Sequence, residues 1–182
     1  AHMSIYPLSV ERGTPLARSL RKGAITLPDD DEVACMLEDA QALLGQAGFS
    51  RYEVANYARP GFASVHNASY WQGRPYLGLG QSAATMTQNA ERRMRVVDGN
   101  VTDDLDERQM AAEDLMLSMR MTAGADAELV ARASALIPET LPVLEELEAQ
   151  GLVVCRDGAW QPTERGWLCG NELYGALLDL AP

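Results

Sequence analysis

The sequence predicts an α/β protein in which a part that mixes strands and helices is followed by a mainly helical part. Three observations predict this fold class: a strand-helix-strand pattern over residues 4–55, a helix-helix-hairpin-helix order over residues 103–182, and a change of charge between the two parts. Residues 1–102 hold equal numbers of acidic and basic side chains, so the net charge of −11 lies wholly in residues 103–182. We therefore expect a domain boundary after residue 102.

The first predicted element is an apolar strand from Ser4 to Val10. The Ala1-His2-Met3 before it resembles an expression-vector remnant, so residues 1–3 are set aside as a tag. Because the strand begins at once, without a leader or a cap, we expect the chain to be a piece of a longer protein.

The longest predicted helix is capped by carboxylates at Asp29–Asp31 and ends at Gly48. Its apolar side chains recur at intervals of three and four residues, which predicts one buried face. These side chains are Val33, Met36, Leu37, Ala40, Leu43, Leu44 and Ala47. A short strand is predicted at residues 51–55, and a strand-helix-strand unit of this kind usually builds a parallel sheet.

Shorter elements complete residues 1–102. Ser64 is predicted to cap a short helix that carries His66 and ends at Gly73. Residues 76–80 read as a buried strand that enters a glycine-rich loop, and Asp98-Gly99 predicts the turn of a hairpin.

The C-terminal part is predicted to be a helical, winged-helix-like domain. Its elements are a helix from Asp103-Asp104 to Arg120, helices at residues 127–136 and 139–150, a hairpin about Asp157-Gly158, and a last helix capped by Thr163. A winged helix usually binds DNA through a basic recognition helix.

The charge of this domain argues against nucleic acid as a partner. Residues 139–150 contain four glutamates and no lysine or arginine, whereas affinity for phosphate backbones comes largely from basic side chains. We interpret residues 103–182 as a packing or protein-contact module.

The cysteine spacing and the hydropathy indicate the cellular compartment that we expect. Cys35, Cys155 and Cys169 are too far apart in sequence to indicate a disulfide framework or a self-contained metal cluster. No apolar run approaches the roughly 20 residues of a membrane span. A reducing, cytoplasmic setting without a transmembrane segment is expected.

Three motifs follow one another between residues 52 and 80: YEVANYARPG at residues 52–61, HNASYW at residues 66–71 and YLGLG at residues 76–80. Supporting segments lie at residues 6–16, 115–120, 147–152 and 163–166. Together they resemble the C-terminal portion of the oxygen-independent coproporphyrinogen III oxidase family of radical S-adenosylmethionine proteins, and they cover nearly the whole chain.

The resemblance implies a fold and cofactors. Residues 4–102 would be the C-terminal part of a partial β/α (TIM-like) barrel, and residues 103–182 the helical domain that follows it. The parent protein would use S-adenosylmethionine and a 4Fe-4S cluster held by a CxxxCxxC loop. That loop is absent from these 182 residues, so we expect no cluster ligands here and no activity of this piece alone.

The HNASYW motif resembles the haem-chaperone branch of the family, in which its histidine is implicated in haem binding. His66 would be an axial iron ligand, with aromatic side chains on the porphyrin face and Arg59 or Arg74 at its propionates. The candidate haem-binding residues are His66, Asn67, Tyr70, Trp71 and Arg59.

A structural interpretation of the same motif stays open. In that interpretation His66 and Asn67 fasten a short loop helix, while Tyr70 and Trp71 fill the core.

The glycine-rich loop after residue 76 lies near S-adenosylmethionine in the family. Gly78, Gly80, Ser82 and Ala83 are therefore candidate contacts for that cofactor, with tight structural packing as the alternative. Gln81-Ser82 stands where the chaperone branch usually has Pro-Gly, and Ser82-Ala83 is closer to the oxidases.

Three functions follow from these observations. The parent protein binds and delivers haem, or it is a coproporphyrinogen III oxidase that forms protoporphyrinogen IX by oxidative decarboxylation, or this piece is a non-catalytic protein-interaction module. The expected partners are haem or a porphyrin, together with a protein partner or a second copy of the chain.

Overall fold

The computed structural model describes residues 1–182 as two compact units, residues 1–63 and residues 64–182. The mixed α/β class predicted from the sequence is confirmed, with strands in three antiparallel sheets. No helix in the chain has both the length and the apolar character needed to cross a membrane.

The first unit holds a three-stranded sheet and two helices. In chain order the elements are β1 (His2–Ser4), α1 (Pro15–Arg21), α2 (Asp30–Gln46), β2 (Ser50–Glu53) and β3 (Asn56–Ala58).

The predicted first strand is wrong in its bounds. β1 ends at Ser4, and Ile5, whose N–H donates to the Ala55 carbonyl at 2.8 Å, is the last residue bonded to the sheet. Pro7 has no N–H to donate to a strand ladder, so the pairing does not continue toward Val10. Residues 2 and 3, set aside as a tag, pair with β3.

The expected parallel sheet is also wrong. β3 lies between β1 and β2 and pairs antiparallel with both. Only Val54 and Ala55 separate β2 from β3, and so short a connection permits only antiparallel pairing. The sequence pattern does not predict β3, which is only three residues long.

The predicted caps of α2 are confirmed, but its apolar face is not buried as expected. Asp29 caps the helix in a capping box with Glu32. Of the predicted face only Leu44 is buried, whereas Met36 and Leu43 are exposed, because the small unit packs only part of this face.

The second unit begins with a short helix and a three-stranded sheet. The helix is α3 (Val65–Trp71), and the sheet consists of β4 (Ala84–Gln88), β5 (Arg93–Val97) and β6 (Asn100–Leu105) in that order. The predicted Ser64 cap and the hairpin turn at Asp98-Gly99 are confirmed.

The predicted buried strand at residues 76–80 is wrong. Only Tyr76 is paired, in an isolated bridge to Met86, while Leu77 and Leu79 are 75% and 83% exposed. After this bridge Gly78 lies close to the backbone of Ala83 and Ala84, at the start of β4.

The helical part begins later than predicted. α4 (Glu107–Ser118) is capped by Asp106, whereas Asp103 and Asp104 lie in β6. These two carboxylates bond Arg95 and Arg92 beside them in the sheet, which is why they do not cap the helix. The proposed boundary after residue 102 falls within β6.

The remaining elements follow the predicted helix-helix-hairpin-helix order. They are α5 (Ala127–Leu136), α6 (Thr140–Ala149), β7 (Val153–Arg156), β8 (Ala159–Pro162), α7 (Glu164–Leu168) and α8 (Gly170–Leu178). The core is formed chiefly by side chains of α4 to α8, including Leu115, Met119, Ile137, Leu144, Leu152, Leu173 and Leu177. The winged-helix interpretation of this order stays a prediction.

Candidate functional site

The helix α3 presents His66 at the protein surface. Ser64 caps the helix by accepting the backbone N–H of Asn67 at 3.2 Å, which sets where the helix begins. His66 lies in the first turn and its side chain is exposed. Its imidazole ring meets Tyr70, one turn later, edge to face at a centroid distance of 5.0 Å and an angle of 89°.

The ring contact continues from Tyr70 to a third aromatic residue. Tyr70 and Tyr76 are 4.9 Å apart between ring centroids, at 61°. Tyr76 is fixed to β4 by two backbone hydrogen bonds with Met86, at 3.1 and 2.9 Å. We call His66, Tyr70 and Tyr76 the aromatic series. It connects the exposed imidazole to the sheet.

Trp71 has a structural role in this fold. It is partly buried and packs against the core of the helical part. The guanidinium of Arg120 lies over the Trp71 ring at 5.1 Å and over the Tyr174 ring at 4.3 Å. This contact fastens the end of α3 to the core, in agreement with the structural interpretation of Trp71.

Arg59 belongs to the first unit and makes local contacts there. Its guanidinium lies over the ring of Phe49 at 5.1 Å and donates to the carbonyl of Ala47 at 3.4 Å. His66, Asn67, Tyr70 and Trp71 therefore share one helix, whereas Arg59 follows β3 in the first unit.

Gly78 is held by tight packing. A Cβ atom at this position would lie 2.7 Å from the carbonyl carbon of Ala84 and 2.9 Å from that of Ala83, closer than real Cβ contacts allow. The Gly78 N–H donates to the Thr85 hydroxyl at 3.0 Å. Gly78 thus fits the structural alternative that the sequence left open.

The other candidates for S-adenosylmethionine form a tight turn. Gly80 has φ +99° and Ser82 has φ +59°, both in the left-handed region. The Ser82 N–H donates to Asp98 at 2.9 Å, and the Ala83 N–H donates to the Gly80 carbonyl at 3.4 Å. Two of the amides that a ligand would need are therefore already used within the chain.

Sequence reasoning missed an ion-pair network behind the aromatic series. Arg93 donates to Glu113 and, at 2.7 Å, to Asp114, while Arg95 donates to Glu113 at 2.8 Å and to Asp103 at 3.1 Å. The available signal was the spacing of Arg93 and Arg95, since residues two apart in a strand face the same side.

Burial and pairing oppose each other in this network. Burial alone would raise the pKa of Glu113, but hydrogen bonds from Arg95 and Arg93 outweigh it and hold the pKa below its ordinary value. Burial likewise opposes the charge of Arg95, yet its bonds to Glu113, Tyr76 and Asp103 raise its pKa. Both partners are therefore ionised at neutral pH.

The chain does not bring together ligands for a metal cluster. Among residues 1–182 no group of three or more His, Cys, Asp or Glu side chains is arranged to hold a metal ion. Cys35 and Cys155 are exposed and Cys169 is half-buried, and none is paired with another.

Comparison with known proteins gives a consistent picture. Residues 105–169 match the family model described as the HemN C-terminal domain. The haem chaperone HemW of Bacillus subtilis is 31% identical over 97% of this chain and 51% of its own length. HemW of Mycobacterium tuberculosis is 48% identical over 45% of this chain and 21% of its own length.

Two further similarities extend beyond the bacterial chaperones. The bovine mitochondrial radical S-adenosyl methionine domain-containing protein 1 is 48% identical over 45% of this chain and 19% of its own length. The coproporphyrinogen III oxidase HemN of Escherichia coli, described as a radical SAM enzyme, has the same fold over 85% of this chain and 42% of its own, with a TM-score of 0.55 and 18% identity.

This chain spans about half the length of the Bacillus subtilis chaperone. The match of residues 105–169 to the HemN C-terminal domain, together with the similar chaperones, confirms the resemblance of the chain to the oxygen-independent coproporphyrinogen III oxidase family and its haem-chaperone branch.

Proposed function

We propose that the protein to which this chain belongs binds haem through His66 and delivers it to an acceptor. The observation that carries this proposal is the exposure of the His66 imidazole and its lack of a hydrogen bond. His66 is exposed, and its ring is held by the edge contact with Tyr70 and makes no hydrogen bond within the chain. A nitrogen of a neutral imidazole is therefore accessible to iron.

Exposure of the ligand suits transfer better than permanent storage. A haem that is to be handed to another protein must be reached from outside, and a histidine at the surface leaves one side of the iron open to the acceptor. A buried pocket would hold haem more tightly but would have to open before release.

The segment that carries His66 also offers apolar surface. Val65, Leu77 and Leu79 are large apolar side chains left in water, and Tyr70 is partly exposed beside the imidazole. Covering such surface is favourable by about 25 cal/mol per Å². A flat, largely apolar porphyrin is a ligand that would gain this energy.

Propionate recognition requires a cation near the haem edge. Arg74 follows α3 directly and its side chain is exposed. Arg59 stays a candidate from the resemblance, although its guanidinium contacts Phe49. We propose that Arg74 or Arg59 meets the propionates.

The parent protein is proposed to carry S-adenosylmethionine and a 4Fe-4S cluster. The relatives' names include radical S-adenosylmethionine proteins, whereas residues 1–182 have no CxxxCxxC loop and no convergent ligand set. We therefore place the cluster ligands in the half of the relatives that this chain does not span. Within the chain, Gly80 fits a cofactor contact best, because the space at its α-carbon is open.

The setting is proposed to be the cytoplasm, where thiols stay reduced, since all three cysteines are unpaired and two are exposed. Delivery also needs a protein acceptor. The exposed glutamates of α6, Glu145, Glu146 and Glu148, give the helical part an acidic surface for such a partner.

The oxidase is the second candidate function. Ser82-Ala83 is closer to the oxidase sequences, and the fold is shared with HemN of Escherichia coli. The full-length protein with an intact cluster would then convert coproporphyrinogen III to protoporphyrinogen IX without oxygen. Failure of that conversion under reconstituted conditions argues for the chaperone.

The test of haem binding uses the two histidines of the chain. Haem is titrated into the wild type, His66→Ala and His2→Ala, and the Soret band is followed. His2 is a matched control, because it is also exposed and contacts a tyrosine, Tyr52. We expect His66→Ala to lose the histidine-type Soret band while His2→Ala keeps it. Equal spectra in all three proteins would remove His66 from the ligand role.

A further inference from the structure

The imidazole of His66 lacks the usual means of orientation. Iron-ligating and other metal-ligating histidines ordinarily donate their second ring N–H to a carboxylate or a carbonyl, and that hydrogen bond fixes the ring. No such partner faces His66. The ring of His66 contacts that of Tyr70, so the orientation of the ligand depends on the position of Tyr70.

Tyr70 is itself partly exposed and would be free to change rotamer without a neighbour. The ring of Tyr76 lies against it at 4.9 Å between centroids. Tyr76 cannot move easily, because both its backbone N–H and its carbonyl bond Met86, which is 2% exposed.

The hydroxyl end of Tyr76 faces Arg95. It helps to raise the pKa of Arg95, and Arg95 is bonded to Glu113 of α4 and Asp103 of β6. Tyr76 is thus fixed at its backbone by β4, and its side chain faces the ion-pair network.

We propose that Tyr70 and Tyr76 are positioning residues for haem ligation, which orient the His66 imidazole through the aromatic series. The β4–β6 sheet and α4 then set the direction of the iron–nitrogen bond in place of a hydrogen bond to the second ring nitrogen. This inference rests on the proposed function of His66.

The first test measures the orientation of the His66 imidazole in the absence of haem, by nuclear magnetic resonance. The proton and carbon resonances of the two histidine rings are compared in the wild type, Tyr70→Leu, Tyr70→Phe and Tyr76→Leu. Ring currents from Tyr70 act on His66, so Tyr70→Leu and Tyr76→Leu are expected to shift the His66 signals, whereas Tyr70→Phe keeps the ring and leaves them close to wild type.

A matched control comes from the other histidine. Tyr52 contacts His2 at 5.7 Å between centroids in the first unit, so Tyr52→Leu is expected to shift His2 and leave His66 unchanged. The aromatic series does not position the ring if Tyr70→Leu leaves the His66 signals unchanged, or if Tyr70→Phe shifts them as much as Tyr70→Leu does.

The second test measures how tightly His66 binds haem. Tyr70→Leu and Tyr76→Leu are expected to weaken the His66-dependent Soret titration by about twofold to tenfold, the range that one aromatic contact supplies, while Tyr70→Phe restores it. Unchanged haem affinity together with shifted His66 signals would overturn the role in ligation. If the wild type and His66→Ala take up haem identically, the proposed function fails, and the resonance test still decides whether the contacts orient the ring.

Discussion

Arg95 of β5 and Glu113 of α4 form an ion pair at 2.8 Å, which joins the sheet to the first helix of the helical part. Glu113 also accepts a hydrogen bond from Arg93, whose side chain is only 3% exposed. One carboxylate therefore bridges two guanidinium groups behind the aromatic series, and Asp114 and Asp103 supply each of them with a second carboxylate. The stability of the second unit and the placement of His66 depend on the same side chain.

We predict that Glu113→Gln strongly destabilises the protein. Glu113 is 12% exposed, and removing its charge leaves Arg93 and Arg95 paired only with the more exposed Asp114 and Asp103, at a cost of about 2–4 kcal/mol. The measurement is urea unfolding followed by circular dichroism. The control is Glu128→Gln in the exposed pair with Arg132, which should cost less than about 0.5 kcal/mol. Equal effects of the two changes would contradict the prediction.

The stability of the second unit should fall on acidification through Glu113. The folded-state pKa of Glu113 lies below its ordinary value of 4.5, so its contribution is complete above about pH 4.5 and is lost as pH falls through the folded pKa. The difference in unfolding free energy between the wild type and Glu113→Gln should accordingly shrink as the pH falls below about 4.5. A difference that stays constant over that range would contradict the linkage.

Local signals in the sequence predicted much of the helical structure. Asp29 and Ser64 were identified as caps because their side chains bond the first turn, and both helices begin there. Asp98-Gly99 predicted a turn that needs positive φ, and both residues have it. These features depend on neighbours within a few residues, so the sequence reports them directly.

The features that sequence reasoning missed depend on distant neighbours. β3 pairs with β1 across more than 50 positions, and nothing in Asn56-Tyr57-Ala58 itself indicates that partner. The ion-pair network likewise joins Arg93 to Glu113, 20 positions away. The motif contains His66 and Tyr70, but the contact of Tyr70 with Tyr76 depends on how the chain after α3 pairs with β4, which periodicity does not reveal.

We predict that Arg120→Leu loosens α3 from the core. The guanidinium of Arg120 contacts the rings of both Trp71 and Tyr174, and two such contacts contribute about 1–2 kcal/mol together. Unfolding monitored by tryptophan fluorescence measures the loss, and a red shift of the native emission would report a more exposed Trp71. The control is Arg108→Leu on α4, where the arginine is exposed and its loss should change stability by less than about 0.5 kcal/mol. Arg120→Leu with wild-type stability and emission would show that this contact does not hold the helix.

Gly78→Ala should distinguish packing from cofactor contact in the glycine loop. An alanine Cβ would collide with the backbone at Ala83 and Ala84 and break the bond from Gly78 to Thr85, so we expect a loss of about 1–3 kcal/mol. Gly45→Ala in α2 is the matched control, because no atom lies within 4 Å of its Cβ position and alanine favours a helix by about 0.5–1 kcal/mol. Thermal unfolding of both variants decides the question. If Gly78→Ala is as stable as the wild type, the glycine is not required by packing, and its role as a contact for S-adenosylmethionine gains support.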